Sequence, residues 1–322
     1  MQVHHDADLP LGLGGSAVTI GAYDGVHTGH RAILEAISRR AEQSALSTVV
    51  VTFDRHPAQV VRPDSAPRLL TDLDQRLELL AATGVDHTLV VHFDRQRAAE
   101  PAEEFVREVL VDGLSARLVI VGEDFHFGHR RQGNVDLLRD MGLTSGFEVL
   151  GHHLVGPDGR EARDETNVSS TAIRRALLEG RLDDANVMLG RPHEMRGPVV
   201  GGDRRGREIG FPTANVAIGD EILMPADGIY AGWLTVLDDA AEGRAELPAA
   251  IYVGKRPTFY GDEAVTLLEV HCLGWSGDLY GRRVGVRFAH RVRADRRFDS
   301  VEELAAQLER DCSDARRLLG AP

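Results

Sequence analysis

The strongest constraint on the fold is a change of hydrophobic pattern near the middle of the chain. Residues 15–153 alternate short β-branched runs with stretches of helical spacing, which is the pattern of parallel β-α-β units. Beyond residue 198 the strand-like runs are short and separated by glycines, which favours an antiparallel barrel or sandwich. The sequence therefore predicts an α/β domain with a doubly wound sheet, followed by a β domain.

The predicted strands follow this division. In the first half they are residues 17–21, 48–53, 88–93, 118–121 and 147–150. Several of these runs are apolar on consecutive residues, as expected where helices cover both faces of a sheet. In the second half the predicted strands are residues 198–201, 228–236, 249–254, 265–273 and 283–288. A closing amphipathic helix is predicted over residues 300–319, with Ser300 as its N-cap and Glu303 completing a capping box.

The domain junction is predicted between these two halves. Residues 171–189 have helical spacing with a break at Gly180, and the glycines and prolines of residues 190–198 predict an irregular linker away from the chemistry. The expected domains are therefore residues 1–186 and 187–322.

Charge and composition limit the partners. The 322-residue chain has 50 acidic and 37 basic residues and a formal net charge of -13, so broad electrostatic attraction to nucleic acid or an anionic membrane is not expected. No apolar run approaches the ~20 residues that a membrane-spanning helix needs. With only Cys272 and Cys312 and no charged-then-apolar leader, the expected location is the cytoplasm. The sequence leaves assembly into a homo-oligomer open.

The use of basic residues excludes two ATP-binding devices. Lys255 is the single lysine, so 36 of the 37 basic residues are arginine. A P-loop needs G-x-x-x-x-G-K-[ST], but Ala249 stands where its first glycine would be, and the H-R-D loop of protein kinases is absent. If the chain uses ATP, it binds the nucleotide in another way.

A stretch rich in glycine and histidine, residues 21–30, follows the first predicted strand and leads into the first predicted helix. In an open α/β sheet this is the edge at which nucleotides bind. The glycines allow a phosphate close to the backbone, and the histidines, three residues apart, can donate hydrogen bonds to its oxygens. The predicted ATP contacts are Gly21, Asp24, Gly25 and Gly29, and the predicted catalytic residues are His27 and His30.

Two alternatives to phosphate binding apply to residues 21–30. A metal site would need a third ligand, which no cysteine or H-E-x-x-H pattern supplies. An ordinary polar turn would not need two histidines and three glycines with this spacing. Phosphate binding is therefore favoured.

A second anion contact is predicted at the start of the helix near residue 170. Ser169, Ser170 and Thr171 offer three hydroxyls where one suffices for an N-cap. Arg174 follows one turn later and can form a forked pair with a phosphate. We predict the three hydroxyls as ATP contacts and Arg174 as a catalytic residue.

Downstream, residues 201–215 join a basic, glycine-rich loop to a stiff Pro-Thr-x-Asn turn. Its arginines and backbone N–H groups can enclose phosphates, whereas Gly-Gly-Asp alone would indicate a polar hairpin. Thr213 and Asn215, two apart on an extended segment, present oxygens suited to Mg²⁺. The predicted ATP contacts are Gly202, Arg207, Gly210, Thr213 and Asn215, the last two also being metal ligands.

Two further features of the second half are ambiguous. On the predicted strand 265–273, Glu269 is either an exposed surface residue or a carboxylate that accepts a proton from an attacking hydroxyl. The arginine cluster of residues 282–297 suggests a nucleic-acid patch or a solvated strand and turn. We favour the strand and turn, because only Phe288 and Phe298 are nearby as stacking aromatics.

Several of these segments carry longer motifs. They are G-A-Y-D-G-V-H-T-G-H at 21–30, V-V-T-F-D-R-H-P at 50–57, V-G-E-D-F-H-F-G at 121–128 and S-S-T-A-I-R at 169–174. Later motifs are G-R-E-I-G-F-P-T-A-N at 206–215, D-G-I-Y-A at 227–231, G-K-R-P-T-F at 254–259 and L-E-V-H at 268–271. Together they resemble the prokaryotic bifunctional riboflavin kinase/FAD synthetase family over nearly the whole chain.

The resemblance implies two activities that each use ATP and Mg²⁺. A Rossmann-like nucleotidyltransferase domain would transfer AMP from ATP to FMN and release pyrophosphate, with Asp124 near the flavin. A six-stranded flavokinase barrel with a terminal helix would phosphorylate riboflavin, with Glu269 as base and Thr213 and Asn215 on the ATP-bound Mg²⁺. Tyr23 departs from the phenylalanine usual in the family, so its hydroxyl needs a partner.

Two other functions stay open at this point. The transferase chemistry of the His-x-Gly-His motif also suits a different phosphorylated vitamin as acceptor. A flavin-binding regulator without activity is the other alternative, although the intact Thr213, Asn215 and Glu269 argue against it.

Overall fold

A computed structural model describes residues 1–153, 156, 168–202, 210–238, 245–256 and 265–321. The chain divides into two compact units, Met1–Ser170 and Thr171–Pro322. The predicted domain boundary between residues 186 and 187 stays a prediction.

The first unit is built on a six-stranded parallel sheet. Its strands are β1 (Gln2–His5), β2 (Ser16–Ile20), β3 (Ser47–Phe53), β4 (His87–Val91), β5 (Ala116–Gly122) and β6 (Glu148–His152). They lie in the order β1-β4-β3-β2-β5-β6, and each neighbouring pair is parallel. The α/β class and the doubly wound sheet are confirmed.

Alternate strand residues supply cores on the two faces of this sheet. The helices are α1 (Thr28–Ser44), α2 (Pro57–Val61), α3 (Leu73–Ala81), α4 (Arg95–Ala99), α5 (Ala102–Phe105) with a π-helical continuation (Val106–Gly113), and α6 (Val135–Ser145). Val18 and Val49 belong to a core with the π-helical segment and α6. Ala17 packs with α1, and Val50 packs with α1 and α3.

The strand order reverses at β2. β3 and β4 extend the sheet on one side of β2, while β5 and β6 extend it on the other. The loops that leave the carboxyl ends of β2 and β5 are therefore neighbours. Such a reversal is where open α/β sheets bind ligands.

The edge strand β1 is not predicted by the sequence, because Gln2–His5 has no apolar alternation. It pairs in parallel with β4, and Nε2 of His4 lies 3.1 Å from Nδ1 of His87. This segment is therefore a strand because it pairs with β4, and not because its own residues favour strand structure.

The second unit is a closed antiparallel barrel with flanking helices. Its elements are α7 (Ser170–Leu178), whose first residue still belongs to the first unit, α8 (Leu182–Leu189), β7 (His193–Val200), β8 (Ala214–Val216), β9 (Gly228–Val236), β10 (Glu246–Arg256), β11 (Val265–Cys272), β12 (Arg283–Ala294) and α9 (Val301–Leu319). The barrel order is β10-β11-β8-β7-β12-β9. The six-stranded barrel is confirmed, as is the helix break at Gly180, whose φ is 71°.

The closing helix α9 is confirmed together with its cap. Ser300 Oγ accepts a hydrogen bond from the backbone N–H of Glu303 at 3.1 Å. Cys312 and Ala315 of α9 belong to one apolar cluster with Ala231 of β9. Neither α9 nor any other helix within the described ranges has both the length and the apolar character to span a membrane.

Strand β12 extends beyond the end predicted at residue 288. Two register shifts between Phe288 and Arg293 let it continue along β9. Two of its arginines form ion pairs within the unit: Arg287 lies 2.5 Å from Glu246, and Arg293 lies 2.6 Å from Asp311. The predicted strand is therefore found, longer than expected and with two of its arginines paired.

The prediction of an irregular linker at residues 190–198 is wrong, because most of this segment belongs to barrel strand β7. His193 and Met195 are only 2% and 1% exposed. A Cβ at Gly197 would overlap the carbonyl oxygen of Ala217. The glycine is therefore needed because two backbones approach closely inside the barrel. In the sequence alone, a glycine of this kind looks the same as a glycine in a turn.

The burial of His193 predicts a pH-dependent stability. Burial, aided by the charge of Arg191, lowers the pKa of His193 to about 3. Between about pH 6.5 and a pH of about 3, the unfolded chain binds a proton at His193 and the folded chain does not. The free energy of unfolding therefore decreases as the pH falls through this range, by about 1 kcal/mol for each pH unit. Denaturant unfolding at about pH 7 and about pH 5 should show a smaller loss for His193→Gln than for the wild type. If the free energy of unfolding fell equally in His193→Gln and in the wild type, His193 would not be a neutral, buried imidazole.

Candidate functional site

The two predicted catalytic histidines lie where the loop after β2 enters α1. His27 is the N-cap of α1, and its Nδ1 accepts a hydrogen bond from the backbone N–H of His30 at 3.3 Å. Their rings stack with centroids 3.6 Å apart and an interplanar angle of 17°. Both imidazoles are thus at the positive end of a helix, where anions are favoured.

Close contacts join this loop to the segment before α7. A Cβ at Gly29 would lie 3.2 Å from the His27 ring and 3.3 Å from the carbonyl oxygen of Val168. Ser170 Oγ donates a hydrogen bond of 2.9 Å to the carbonyl oxygen of Asp24. The structure therefore brings the histidine loop and the segment that holds Ser169 and Ser170 together, while their contact with ATP stays a prediction.

The loop contains left-handed residues that are held in place by Asp24. Tyr23 has a φ of 51° and Val26 a φ of 37°, values that cost energy for residues with side chains. The Asp24 carboxylate is buried and accepts hydrogen bonds from the backbone N–H groups of Leu70 at 2.9 Å and Thr71 at 3.1 Å. The contacts of Asp24 shown here thus anchor the loop. Leu70 and Thr71 belong to no motif and were missed in the sequence.

The Tyr23 hydroxyl finds its partner in Thr19. The two hydroxyls share a hydrogen bond of 2.7 Å, and Thr19 is 0% exposed. Burial raises the pKa of Tyr23, and the hydrogen bond to Thr19 acts in the opposite direction. The centroid of the Tyr23 ring also lies 4.8 Å from that of the His30 ring. The buried Thr19–Tyr23 pair therefore supports the His30 side chain by direct packing.

Replacing Tyr23 with phenylalanine should destabilise the first unit by about 1–3 kcal/mol, because the buried Thr19 hydroxyl loses its partner. Adding Thr19→Val to that variant should recover most of the loss, since both polar groups are then gone. Denaturant unfolding followed by circular dichroism measures both effects. Additive losses in the double variant would contradict the pairing.

The remaining predicted residues of the first unit lie at the same sheet edge. Gly21 donates its backbone N–H to the carbonyl oxygen of Val51 at 3.0 Å, directly after β2. Asp124 follows β5 and is exposed, and its carbonyl oxygen lies 2.8 Å from Nδ1 of His126. Because β2 and β5 are paired, Asp124 follows the strand next to the one that precedes the histidine loop.

Two predicted transferase residues fall in the second unit. Thr171 is exposed and Arg174 is 9% exposed, both on α7. Their contact with a nucleotide held by the histidine loop stays a prediction.

In the barrel the structure brings Thr213, Asn215 and Glu269 together. Asn215 of β8 is paired directly with Glu269 of β11 in the strand register. Thr213 Oγ1 donates a hydrogen bond of 3.2 Å to Oε2 of Glu269. Glu269 lies between the buried neighbours Leu268 and Val270, so its side chain is on the outer face of the barrel.

Of the other predicted kinase residues, Gly202 lies beside this group. A Cβ at Gly202 would overlap the side-chain amide of Asn215, so any larger residue there would have to displace that amide. Gly210 is exposed with a φ of 90°. Arg207 lies outside the described residues.

His271 holds the Thr213 segment in place and was missed as a contributor. Its Nδ1 lies 2.8 Å from the carbonyl oxygen of Pro212, and its ring makes an edge contact with Phe211 at 5.7 Å. The shared face of Glu269 and His271 in L-E-V-H was the available signal.

Tyr252 lies on the other side of Glu269, opposite it across β10 and β11. Its Oη donates a hydrogen bond of 3.4 Å to Oδ2 of Asp295. Burial raises the pKa of Tyr252 to about 12, with the charges of Asp295 and then Glu269 acting in the same direction. The phenol therefore stays protonated beside the predicted base. No sequence motif marks it.

The donor types decide which metal the barrel group suits. Within the described part of the chain, no group of three or more His, Cys, Asp or Glu side chains is placed to hold a metal ion. The hydroxyl of Thr213, the amide of Asn215 and the carboxylate of Glu269 are hard oxygen donors. Such donors fit Mg²⁺, which is bound by few protein ligands together with substrate phosphates.

Two family sequence models match the chain, one in each half. The model of FAD synthetase matches residues 12–172, and the model of riboflavin kinase matches residues 189–319. The first match covers strands β2 to β6 of the parallel sheet and the histidine loop, and the second covers the barrel with Thr213, Asn215 and Glu269.

Curated relatives and a solved structure match the chain over most of its length. The bifunctional riboflavin kinase/FMN adenylyltransferase of Escherichia coli (strain K12) is 39% identical over 306 residues, 95% of this chain and 93% of the relative. The same enzyme of Pseudomonas fluorescens is 38% identical, over 94% and 93%. A crystal structure described as a macrolide-efflux protein from Streptococcus pneumoniae superposes with a TM-score of 0.83 at 30% identity, over 98% and 99%. The chain belongs to the family of bifunctional riboflavin kinases/FMN adenylyltransferases.

Proposed function

We propose that the two activities of this bifunctional riboflavin kinase and FMN adenylyltransferase are divided between its two units. The barrel makes FMN from riboflavin, and the parallel-sheet unit makes FAD from FMN. Both buried cysteines are free thiols, which suits the reducing cytoplasm as the location. The proposed domains are residues 1–186 and 187–322.

The stacked His27–His30 pair at the start of α1 supports adenylyl transfer most directly. A phosphate oxygen of FMN attacks the α-phosphorus of ATP, and the bond from that phosphorus to the leaving pyrophosphate breaks. Positioning and charge neutralisation dominate such in-line transfers, and no protein nucleophile is needed. The imidazoles donate to the phosphate oxygens, the glycines of the loop leave room for them, and Ser169 adds a hydroxyl donor.

The group around Glu269 supports the kinase step. The Glu269 carboxylate accepts the proton of the terminal ribityl hydroxyl of riboflavin. The oxygen of that hydroxyl then attacks the γ-phosphorus of ATP, and the bond from this phosphorus to the leaving ADP breaks. The hydrogen bond from Thr213 limits the orientations of this carboxylate. Thr213 and Asn215 are proposed to hold Mg²⁺, which when bound neutralises phosphate charge.

The experiment follows the two phosphates of ATP separately. The full chain is incubated with riboflavin, Mg²⁺ and ATP labelled at the α- or the γ-phosphorus, and the flavins are separated by chromatography. The γ label should enter FMN and then FAD, and the α label should enter FAD alone. Absence of FAD with FMN left unconsumed would favour another acceptor, and absence of any ATP turnover with riboflavin would favour the inactive regulator.

A further inference from the structure

Arg76 is a buried cation next to the histidine loop. The steps described above for adenylyl transfer assign it no role. It lies on α3 and is 5% exposed. Arginine is protonated at any pH relevant to the enzyme, so a full positive charge is buried behind the loop after β2. Burying a charge is costly unless other groups compensate it, so this position calls for an explanation.

The Arg76 guanidinium bridges the ends of β2 and β3 through backbone carbonyls. Its Nη1 donates to the carbonyl oxygen of Ala22 at 2.6 Å, and its Nη2 donates to that of Phe53 at 2.8 Å. Thr52 Oγ1 donates to the same Ala22 oxygen at 3.2 Å. Two donors therefore fix the carbonyl of the residue that precedes the left-handed Tyr23.

These acceptors are neutral, so the charge of Arg76 is not cancelled by direct contact. Its Nε is buried and has no hydrogen-bond partner among the residues described. Burial lowers the pKa of Arg76, and the carboxylates of Asp24, Asp54 and Asp72 act in the opposite direction. Asp24 directs its carboxylate to the backbone of Leu70 and Thr71. The hydrogen bonds described here thus join Arg76 to backbone carbonyls, while the charges of the three aspartates compensate its own.

The Ala22 carbonyl connects Arg76 to the geometry of the loop. The peptide between Ala22 and Tyr23 is trans, so the N–H of Tyr23 points opposite to the carbonyl that Arg76 holds. Arg76 thereby sets the direction of this peptide at the entrance to the loop. A change at Arg76 would be transmitted to the segment that carries His27 and His30, although Arg76 itself touches neither.

We propose that Arg76 is a positioning residue for adenylyl transfer: through the Ala22 carbonyl it fixes the loop that receives the ATP phosphates. The inference rests on the proposed function of the first unit. A residue that only stabilises the fold would leave the KM for ATP unchanged, whereas a residue that positions the loop raises this KM when it is replaced.

The experiment compares Arg76→Met and Arg76→Lys in the full chain. Arg76→Met should raise the KM for ATP in FMN adenylylation by about 10- to 100-fold, because the two charge-assisted hydrogen bonds that hold the loop are lost. Arg76→Lys should fall between that variant and the wild type, since an ammonium group keeps the charge without the fork. Riboflavin kinase activity, measured in the same samples, should stay within about twofold.

The controls separate a failure of this inference from a failure of the proposed function. Arg97→Lys alters a partly buried arginine that pairs with Glu100 at 2.9 Å, and it should leave adenylylation unchanged. His30→Ala should reduce adenylylation on the order of 10²- to 10³-fold; if it keeps the wild-type rate, the proposed function itself fails. If His30→Ala is inactive but Arg76→Met keeps the wild-type KM for ATP and loses only kcat, Arg76 is a structural brace and the inference is overturned.

Misfolding of Arg76→Met would lower both activities and the unfolding temperature. Arg76→Lys then decides, because it keeps the buried charge. A raised KM for ATP with normal riboflavin kinase activity supports the inference, and wild-type values for both overturn it.

Discussion

Replacing Glu269 with glutamine should reduce riboflavin phosphorylation by about 10²- to 10⁴-fold, because an amide cannot accept the proton of the attacking hydroxyl. The amide keeps the size of the carboxylate, and its oxygen can still accept the hydrogen bond that Thr213 donates to Oε2 of Glu269 at 3.2 Å. The loss should therefore lie in kcat, with a small change in the KM for riboflavin. FMN adenylylation in the same protein should be unaffected. The measurement is the initial rate of each step, started from riboflavin and from FMN.

Thr213→Val provides the matched control for this prediction. It removes the hydroxyl that contacts Glu269 and contributes to the proposed Mg²⁺ site, but leaves the base in place. We expect a smaller loss than for Glu269→Gln, together with a higher Mg²⁺ requirement. Near wild-type phosphorylation by Glu269→Gln would remove Glu269 from its role as base.

Replacing His30 with alanine should reduce FMN adenylylation on the order of 10²- to 10³-fold, because a donor aimed at the developing phosphate charge is lost. The ring stacked at 3.6 Å on His27 goes with it, so the orientation of His27 is also loosened. Riboflavin phosphorylation should persist, and FMN should accumulate when riboflavin and ATP are supplied. Chromatography of the flavins over time measures both effects.

His30→Gln tests whether donation or packing matters at this position. A glutamine amide can donate hydrogen bonds through its NH₂ group but carries no ring, so it should recover part of the activity lost in His30→Ala. Loss of both activities in either His30 variant would contradict a site confined to the first unit.

The sequence identifies the features that depend on local pattern. The parallel strands, the break at Gly180 and the cap at Ser300 follow from periodicity and from glycine and serine chemistry, and all three are found in the structure. Features that depend on distant neighbours were missed. β1 becomes a strand only beside β4, and the buried alternation of β7 is hidden by Gly197 and a proline.

The candidate sites divide along the same principle. Motif spacing alone predicts phosphate or metal binding for some of the site residues, namely His27, His30, Thr213 and Asn215. Residues that hold them in place come from other segments: Leu70 and Thr71 anchor Asp24, and His271 anchors Pro212. Contacts over such sequence distances leave no periodic signal, so only the folded chain shows them.

Mixing the two inactive variants tests most directly whether two independent sites lie on one chain. Glu269→Gln and His30→Ala are each incubated with riboflavin, ATP and Mg²⁺, alone and together, and FAD is measured. Neither variant alone should form FAD beyond a trace, while the mixture should form it readily, because FMN released by the His30→Ala protein is adenylylated by the Glu269→Gln protein. Rapid FAD formation by one variant alone, or none in the mixture, would contradict the assignment of the two activities to the two units.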